Sequence, residues 1–402
     1  MAAGYGSSRY GEAEGARPSV ARCPETRWSW VEIDRGALRA NVRAYKKLLG
    51  RNTKMMCVVK ADAYGHGAAV CAPIMASAGA DAFAVATVQE GVELREFVDK
   101  PILLLSQPPQ ESIPDLLAYD IMPSVYTIEF ALAFGEYAAN AGTQGHYHLA
   151  LDTGMTRIGV RYQDAVDFRR AVDFHSGLVC EGTFTHFATA DVVGDWDWEL
   201  QRAHFDEAVA NLREAGFDPG LVHCDNTPSV VLHSDTHYDM VRVGVGLYGL
   251  HPCDASEPLV DLKPVMSVRA RVTRAQYPPV GAGVSYGMTY RVPKSSIQIA
   301  TVPLGYADGY SRTLSNKADV IVAGQRHHQV GNVCMDQFMF AVDVNENRSY
   351  APSAPVEEGD LVTIMGADGR ERISAEELAE LRGTINYEVV CDFGLRLEKV
   401  YV

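Results

Sequence analysis

From about residue 35 to 250, short runs of apolar, strand-forming residues alternate with amphipathic stretches, and this alternation limits the fold more than any other feature of the chain. Strand candidates cover 55–59, 82–86, 102–105, 121–124, 147–151, 178–185, 221–224 and 240–243. Eight parallel strands joined by helices are what a closed (β/α)8 barrel requires. A doubly wound open sheet has the same periodicity, so the barrel is favoured on strand count alone. The first connecting segment illustrates the helices: Asp34 can cap it, and Leu38, Val42, Tyr45 and Leu49 recur every three or four residues.

Past residue 262 the pattern becomes β-rich, with segments such as VMSVRARVTRAQYPPVG and SSIQIATVPLG separated by Gly and Pro, and one short helix near ISAEELAEL. The expected fold class is therefore α/β plus β, a (β/α)8 TIM-like barrel followed by a mostly β C-terminal domain. The division is a flexible tail over 1–27, the barrel over 28–262 and the β domain over 263–402. The first strand, at about 28–34, can join either domain. The tail is rich in Gly, Ala and Ser and lacks periodicity.

Charge excludes several classes of partner. The formal net charge of −15 repels nucleic acid and anionic membrane, so any anion site must be local. The eight cysteines form no CxxC pair, which argues against a metal cluster or a disulfide framework and for a reduced, cytoplasmic setting. No apolar run reaches the ~18 residues that suggest a membrane span, and the first 27 residues carry no hydrophobic h-region behind a basic start, so export is not expected.

Lys60, in CVVKADAYGHGA, lies at the carboxyl end of the first barrel strand, the face where barrel enzymes place their chemistry. A desolvated lysine deprotonates more easily and can form a Schiff base. A lysine turning its head back to solvent is an equally good reading of the spacing. Thr227 follows the seventh strand, and Gly244 and Val245 follow the eighth. Barrels commonly bind phosphate between those loops, although glycine there also suits a simple turn. A Schiff-base lysine opposite a phosphate site suggests pyridoxal 5'-phosphate.

Eight motifs then coincide with one family: VVKADAYGHGA, LDTGMTRIG, THFATAD, RVGVGLYG, VSYGMTY, PLGYADGYSR, GNVCMDQ and TINYE. Over about residues 28–402 the sequence resembles the alanine racemases, two-domain pyridoxal-phosphate enzymes that interconvert L- and D-alanine and supply D-alanine for peptidoglycan. The resemblance implies that Lys60 holds the cofactor and is one of two bases. It further implies that Tyr64, Thr227, Gly244, Val245 and Tyr387 hold the phosphate, and that Arg242 meets the pyridine nitrogen. Tyr286 would be the opposite base, with His186 hydrogen-bonded to it. Arg157 and the backbone N–H of Met335 would receive the substrate carboxylate, and Tyr306 would narrow the entrance. In the family Tyr286 and Met335 come from the second subunit of a head-to-tail homodimer.

Three positions depart from the family pattern. Ala150 stands where a carbamylated lysine often orients the arginine, Thr156 where glycine is common, and Thr227 where serine is usual. Ala150 keeps open a broad-specificity or serine-preferring racemase. A decarboxylase of the same architecture would place a glutamate where Arg242 stands, and a non-enzymatic cofactor carrier would lack residues 263–402. Outside these motifs, adjacent His327 and His328 point to opposite faces of a solvated edge strand and hold no metal. GAGVSYG lacks nucleotide-loop spacing. The stretch DVVGDWDWEL reads as a surface loop leading into a helix, and Cys334 as a buried, unreactive thiol.

Overall fold

The computed structural model describes residues 27–192, 194–344, 354–394 and 396–402; nearly all of the expected tail lies outside them. Strands β1 (Ser29–Ile33), β2 (Lys54–Val58), β3 (Ala82–Val85), β4 (Ile102–Leu104), β5 (Ile121–Val125), β6 (Gly145–Asp152), β7 (Val160–Arg161), β8 (Leu178–Phe184), β9 (Leu221–His223) and β10 (Met240–Val243) open the chain. Eight of them form a parallel sheet in the order β10-β2-β3-β4-β5-β6-β8-β9. In place of a ladder between β9 and β10, the Asp239 N–H donates to Val222 O at 3.1 Å and the Arg242 N–H to Asp225 O at 3.0 Å, so the barrel nearly closes. Strands β3, β4 and β10 are buried along their whole length, as expected of strands covered on both faces.

Helices α1 (Arg35–Leu48), α2 (Lys60–Tyr64), α3 (Ala68–Ala78), α4 (Val88–Arg95), α5 (Ile113–Ala118), α6 (Ile128–Asn140), α7 (Ala165–Val172), α8 (Trp196–Glu214) and α9 (Thr227–Leu232) belong to this half. Asp34 Oδ1 caps α1 by accepting the N–H groups of Gly36 and Ala37, each at 2.8 Å. Leu38, Val42 and Tyr45 are fully buried on one face. Leu49 falls just past the last turn, its N–H bonded to Lys46 O. Strand β3 stops before Ala86 because that N–H leaves the sheet for the Glu90 carboxylate.

The second sheet contains β11 (Met266–Arg271), β12 (Arg274–Gln276), β15 (Ile297–Val302), β16 (Asp319–Val322), β17 (Gln325–Val330), β18 (Phe338–Asp343), β19 (Leu361–Asp368), β20 (Glu371–Ile373) and β21 (Glu398–Tyr401); β13 (Gly283–Val284) and β14 (Tyr290–Arg291) form a separate hairpin. Helices α10 (Ala375–Arg382) and α11 (Asn386–Asp392) follow β20. Strand β1 lies in this sheet, antiparallel to β11 and parallel to β21, so both ends of the described chain meet there. One apolar core runs through the barrel and this sheet.

Strand β17 sits between β16 and β18, which corrects the expected edge. His327 is buried near Phe340, while His328 is exposed and meets Asp319 at 3.0 Å, so the two do face apart. Trp196 and Trp198 open α8, and Trp198 stacks on His233 at 3.6 Å. No helix among the described residues is long and apolar enough to cross a membrane.

Candidate active site

Lys60 follows β2 and opens a single turn of left-handed helix: Ala61, Asp62, Ala63 and Tyr64 have φ of 53°, 51°, 56° and 53°. Each such residue costs roughly 1–2 kcal/mol relative to the right-handed form. Tight packing holds the turn in place. A Cβ on Gly65 would come within 2.6 Å of Val390 O in α11, and one on Gly67 would run into the Tyr401 hydroxyl. At the turn's far end Asp62 Oδ1 accepts the Ala68 N–H at 2.7 Å, and Oδ2 meets Lys399 at 3.0 Å. The Lys60 amine is half-buried, and burial followed by the nearby Arg157 charge lowers its pKa, with Glu90 and Cys391 opposing.

The loops after β9 and β10 meet beside this turn. Asn226 caps α9, and the Thr227 hydroxyl accepts the Gly244 N–H at 2.8 Å. A Cβ on Gly244 would lie 2.7 Å from the Tyr64 hydroxyl oxygen and 3.7 Å from Thr227 Oγ1, so only glycine allows the Tyr64 hydroxyl to approach this closely. Val245 begins the turn that follows. Tyr387, from α11, brings its ring to 6.3 Å from that of Tyr64. Tyr64, Thr227, Gly244 and Tyr387 thus line a small polar cradle, and burial raises the pKa of both tyrosines, keeping them protonated as donors.

Arg242, on β10, is 3% exposed. Nη1 meets His223 Nδ1 at 2.8 Å; Nη2 donates to Thr185 O at 2.8 Å, to Cys224 O at 2.9 Å and to His186 Nδ1 at 3.1 Å. Burial pushes this guanidinium down to about 10, so it is still a cation near neutral pH. Because arginine only donates, His186 and His223 accept at Nδ1 and carry their protons on Nε2. His223 Nε2 then donates to His148 Nδ1 at 2.8 Å. Burial and the Arg242 charge push His148 down to about 3 and drive His186 and His223 well below the ordinary histidine range. The three imidazoles are neutral.

Arg157 is exposed and makes no hydrogen bond or ion pair with the described residues, yet its charge is felt by Lys60, His186 and Arg242. Its loop is pinned by Asp152 Oδ1, which accepts the N–H groups of Gly154 and Thr156, each at 3.0 Å. Thr156 has φ of 55°, a left-handed conformation that glycine would adopt without strain. Ala150 is buried on β6 opposite Phe184.

Tyr286, Tyr306 and Met335 are gathered elsewhere, on the β domain. The β13–β14 hairpin packs Val284 and Val292 against Ile297, Ile299 and Val330, and presents Tyr286 at its tip. Asn332 Nδ2 donates to Tyr286 O at 2.7 Å; the Tyr306 N–H donates to Cys334 O at 3.0 Å and the Ala307 N–H to Met335 O at 3.0 Å. These side chains face solvent, with Tyr286 71%, Met335 51% and Tyr306 43% exposed. Within one chain the Tyr286 hydroxyl makes no hydrogen bond to His186. Cys334, expected to be buried, is half-buried, with its sulfur 3.4 Å from Ser285 Oγ, because it belongs to this surface loop.

Sequence reasoning missed His148, His223 and Glu90. The first two show only as polar residues inside apolar strand runs, HYHLALD and LVHC. Their pairing joins positions 75 residues apart.

Comparison with known proteins agrees across the chain. The family described as "Alanine racemase, N-terminal domain" matches residues 33–252, and "Alanine racemase, C-terminal domain" matches 265–401. The chain is 39% identical over 375 residues to the alanine racemase of Carboxydothermus hydrogenoformans, covering 93% of this chain and 99% of that one. It is 41% identical over 374 residues to that of Desulfovibrio desulfuricans, covering 93% and 98%. Among solved structures, the alanine racemase of E. faecalis superposes with a TM-score of 0.87 at 35% identity, covering 94% of this chain and 99% of that one. The Bacillus anthracis enzyme with bound L-Ala-P gives 0.87 at 34% identity, covering 94% and 96%. The chain belongs to the alanine racemase family of pyridoxal-phosphate-dependent isomerases.

Proposed function

We propose that this chain interconverts L- and D-alanine as a homodimer whose active sites combine residues of both subunits, supplying D-alanine for peptidoglycan in the cytoplasm. One observation carries the reading. A lysine, a cradle of tyrosine and threonine hydroxyls and a buried arginine lie on neighbouring elements of the barrel, while Tyr286 stands 71% exposed on the β domain with no hydrogen-bond partner for its hydroxyl among the described residues.

The Tyr64, Thr227 and Tyr387 hydroxyls beside the backbone of Gly244 are a donor set suited to a phosphate group. Pyridoxal 5'-phosphate, when bound, supplies an electron sink for negative charge at the substrate α-carbon. Tyr64, Thr227, Tyr387 and the backbone of Gly244 and Val245 would hold its phosphate, Lys60 would hold it covalently, and Arg242 would face its pyridine nitrogen. As a permanent donor Arg242 keeps that nitrogen unprotonated, which restrains side reactions.

Racemisation needs an acid–base group on each face of the planar carbon, since one base would return the proton to the face it left. Lys60, with its lowered pKa, serves one face. Tyr286 of the partner subunit serves the other. Because Arg242 occupies His186 Nδ1, the His186 Nε2–H is the donor available to that phenol, and such a bond stabilises the phenolate. Arg157 and the Met335 N–H bind the substrate carboxylate, and Tyr306 narrows the approach.

A second reading, a racemase of broader substrate range, is favoured by the small buried Ala150 and by the absence of any carboxylate on Arg157 among the described residues. The test is α-proton exchange in heavy water with chiral chromatography, offering L-alanine, L-serine, L-lysine and L-arginine separately to the cofactor-loaded protein. Exchange confined to alanine with weak serine turnover supports the first reading. Comparable turnover of the basic amino acids selects the second, and no exchange overturns both.

A further inference from the structure

Glu90 sits in the first turn of α4 and takes part in an ordinary capping box: the Thr87 hydroxyl accepts the Glu90 N–H at 3.2 Å, and Glu90 Oε2 accepts the Thr87 N–H at 3.1 Å. Its carboxylate does more than the box requires. Oε2 also accepts the Ala86 N–H at 2.8 Å, and Oε1 reaches the preceding loop of the barrel to accept the Ala61 N–H at 2.6 Å. One side chain therefore ties together the loops after β2 and β3.

Ala61 is the first left-handed residue of the turn that begins at Lys60, and its N–H belongs to the Lys60–Ala61 peptide plane. The next strained positions are served by other bonds: the Ala63 N–H reaches Val59 O at 2.8 Å, and Asp62 binds Ala68 and Lys399 at the far end. The start of the turn is held by Glu90. We propose that Glu90 is a positioning residue for Lys60, fixing the peptide plane from which the lysine side chain departs and setting a negative charge beside it. The proposal rests on the reading of Lys60 as the cofactor lysine. A glutamine cannot replace this function in full, because its amide nitrogen donates and so can serve only one of the two loops.

The charge has a direction. Among the groups that act on Lys60, burial and Arg157 favour the neutral amine, whereas Glu90 and Cys391 favour the ammonium. Removing the Glu90 charge therefore moves the titration of Lys60 to lower pH.

The experiment uses full-length apoprotein and pyridoxal 5'-phosphate as the probe. Covalent capture is trapped with borohydride, located at Lys60 by mass spectrometry and timed across pH, alongside the melting temperature and kcat and KM of the loaded enzyme. Glu90→Ala is expected to slow capture about 10-fold or more and to lower kcat more than it changes KM. Glu90→Gln, which keeps one loop tie, is expected to lose less and to show its pH inflection displaced to lower pH. Thr87→Ala, which removes the cap and leaves the Ala61 bond, should lower the melting temperature with capture unchanged. Parental rates and inflections in both Glu90 variants, with only the melting temperature reduced, would overturn the proposal alone. Absence of capture at Lys60 in the parent protein would overturn the reading of Lys60 and the proposal with it.

Discussion

Mixing two inactive variants offers a sharp test of the shared site. Lys60→Ala removes the proposed barrel-side base and covalent link, and Tyr286→Phe removes only the hydroxyl of a side chain that is 71% exposed and outside the core, so both should fold. Each homodimer then lacks one group in both of its sites. Loss of a general acid–base group lowers turnover by about 10²–10⁴-fold, so each variant alone should give at most about 1% of parental activity. After unfolding and joint refolding of equal amounts, about half of the dimers are hybrids if subunits pair at random. In a hybrid one site carries both substitutions and the other carries neither. The mixture should therefore recover roughly one quarter of parental activity. Racemisation is followed by chiral chromatography, with sedimentation to verify dimers. If each site were built within one chain, every site would retain a defect and no activity would return. A refolded parental control at full activity beside a mixture that stays near 1% refutes the shared site.

Stability should depend on pH through the buried histidines. His148 is held down to about 3, His66 to about 4, and His186 and His223 well below 6.5. The unfolded chain binds these protons first, so stability is complete above about pH 6.5 and falls as pH drops from there toward 3. Asp225, pushed up to about 6 by burial, works in the opposite sense between about pH 6 and 4, and is outnumbered. A melting temperature that does not fall between pH 7 and 5 would contradict this. Gly244→Ala sets a methyl group 2.7 Å from the Tyr64 oxygen, and should weaken cofactor retention about 10-fold in an absorbance titration while leaving the barrel folded. Thr156→Gly relieves roughly 1–2 kcal/mol of left-handed strain against roughly 0.5–1 kcal/mol of added chain freedom. Chemical denaturation should accordingly show a gain of about 0.5–1 kcal/mol.

Much of this protein could be read along the chain. Barrel strands such as Ile102–Leu104 are short buried apolar runs, and a helix such as α1 announces itself by its cap and its three-to-four spacing, because both signals arise between neighbouring residues. The motifs around Lys60, Arg242 and Tyr286 are legible for the same reason. Local order could not say that Ser29–Ile33 belongs with Met266–Arg271 and Glu398–Tyr401 rather than with the barrel, since strand partners are chosen by packing between distant segments. Nor could it say that His327 and His328 lie inside a sheet.

The alternation of strand and helix, the lysine at a strand end and the glycine after the eighth strand were all fixed by the order of residues along the chain. Only the tertiary structure decided that the turn at Lys60 is left-handed and that Glu90 anchors it across two loops. It also buried His148, His223 and Arg242 in one hydrogen-bonded row, and left Tyr286 facing outward. The physical reason is range: helix caps and periodicity act over a few residues, whereas these features are set by contacts that chain closure alone brings together.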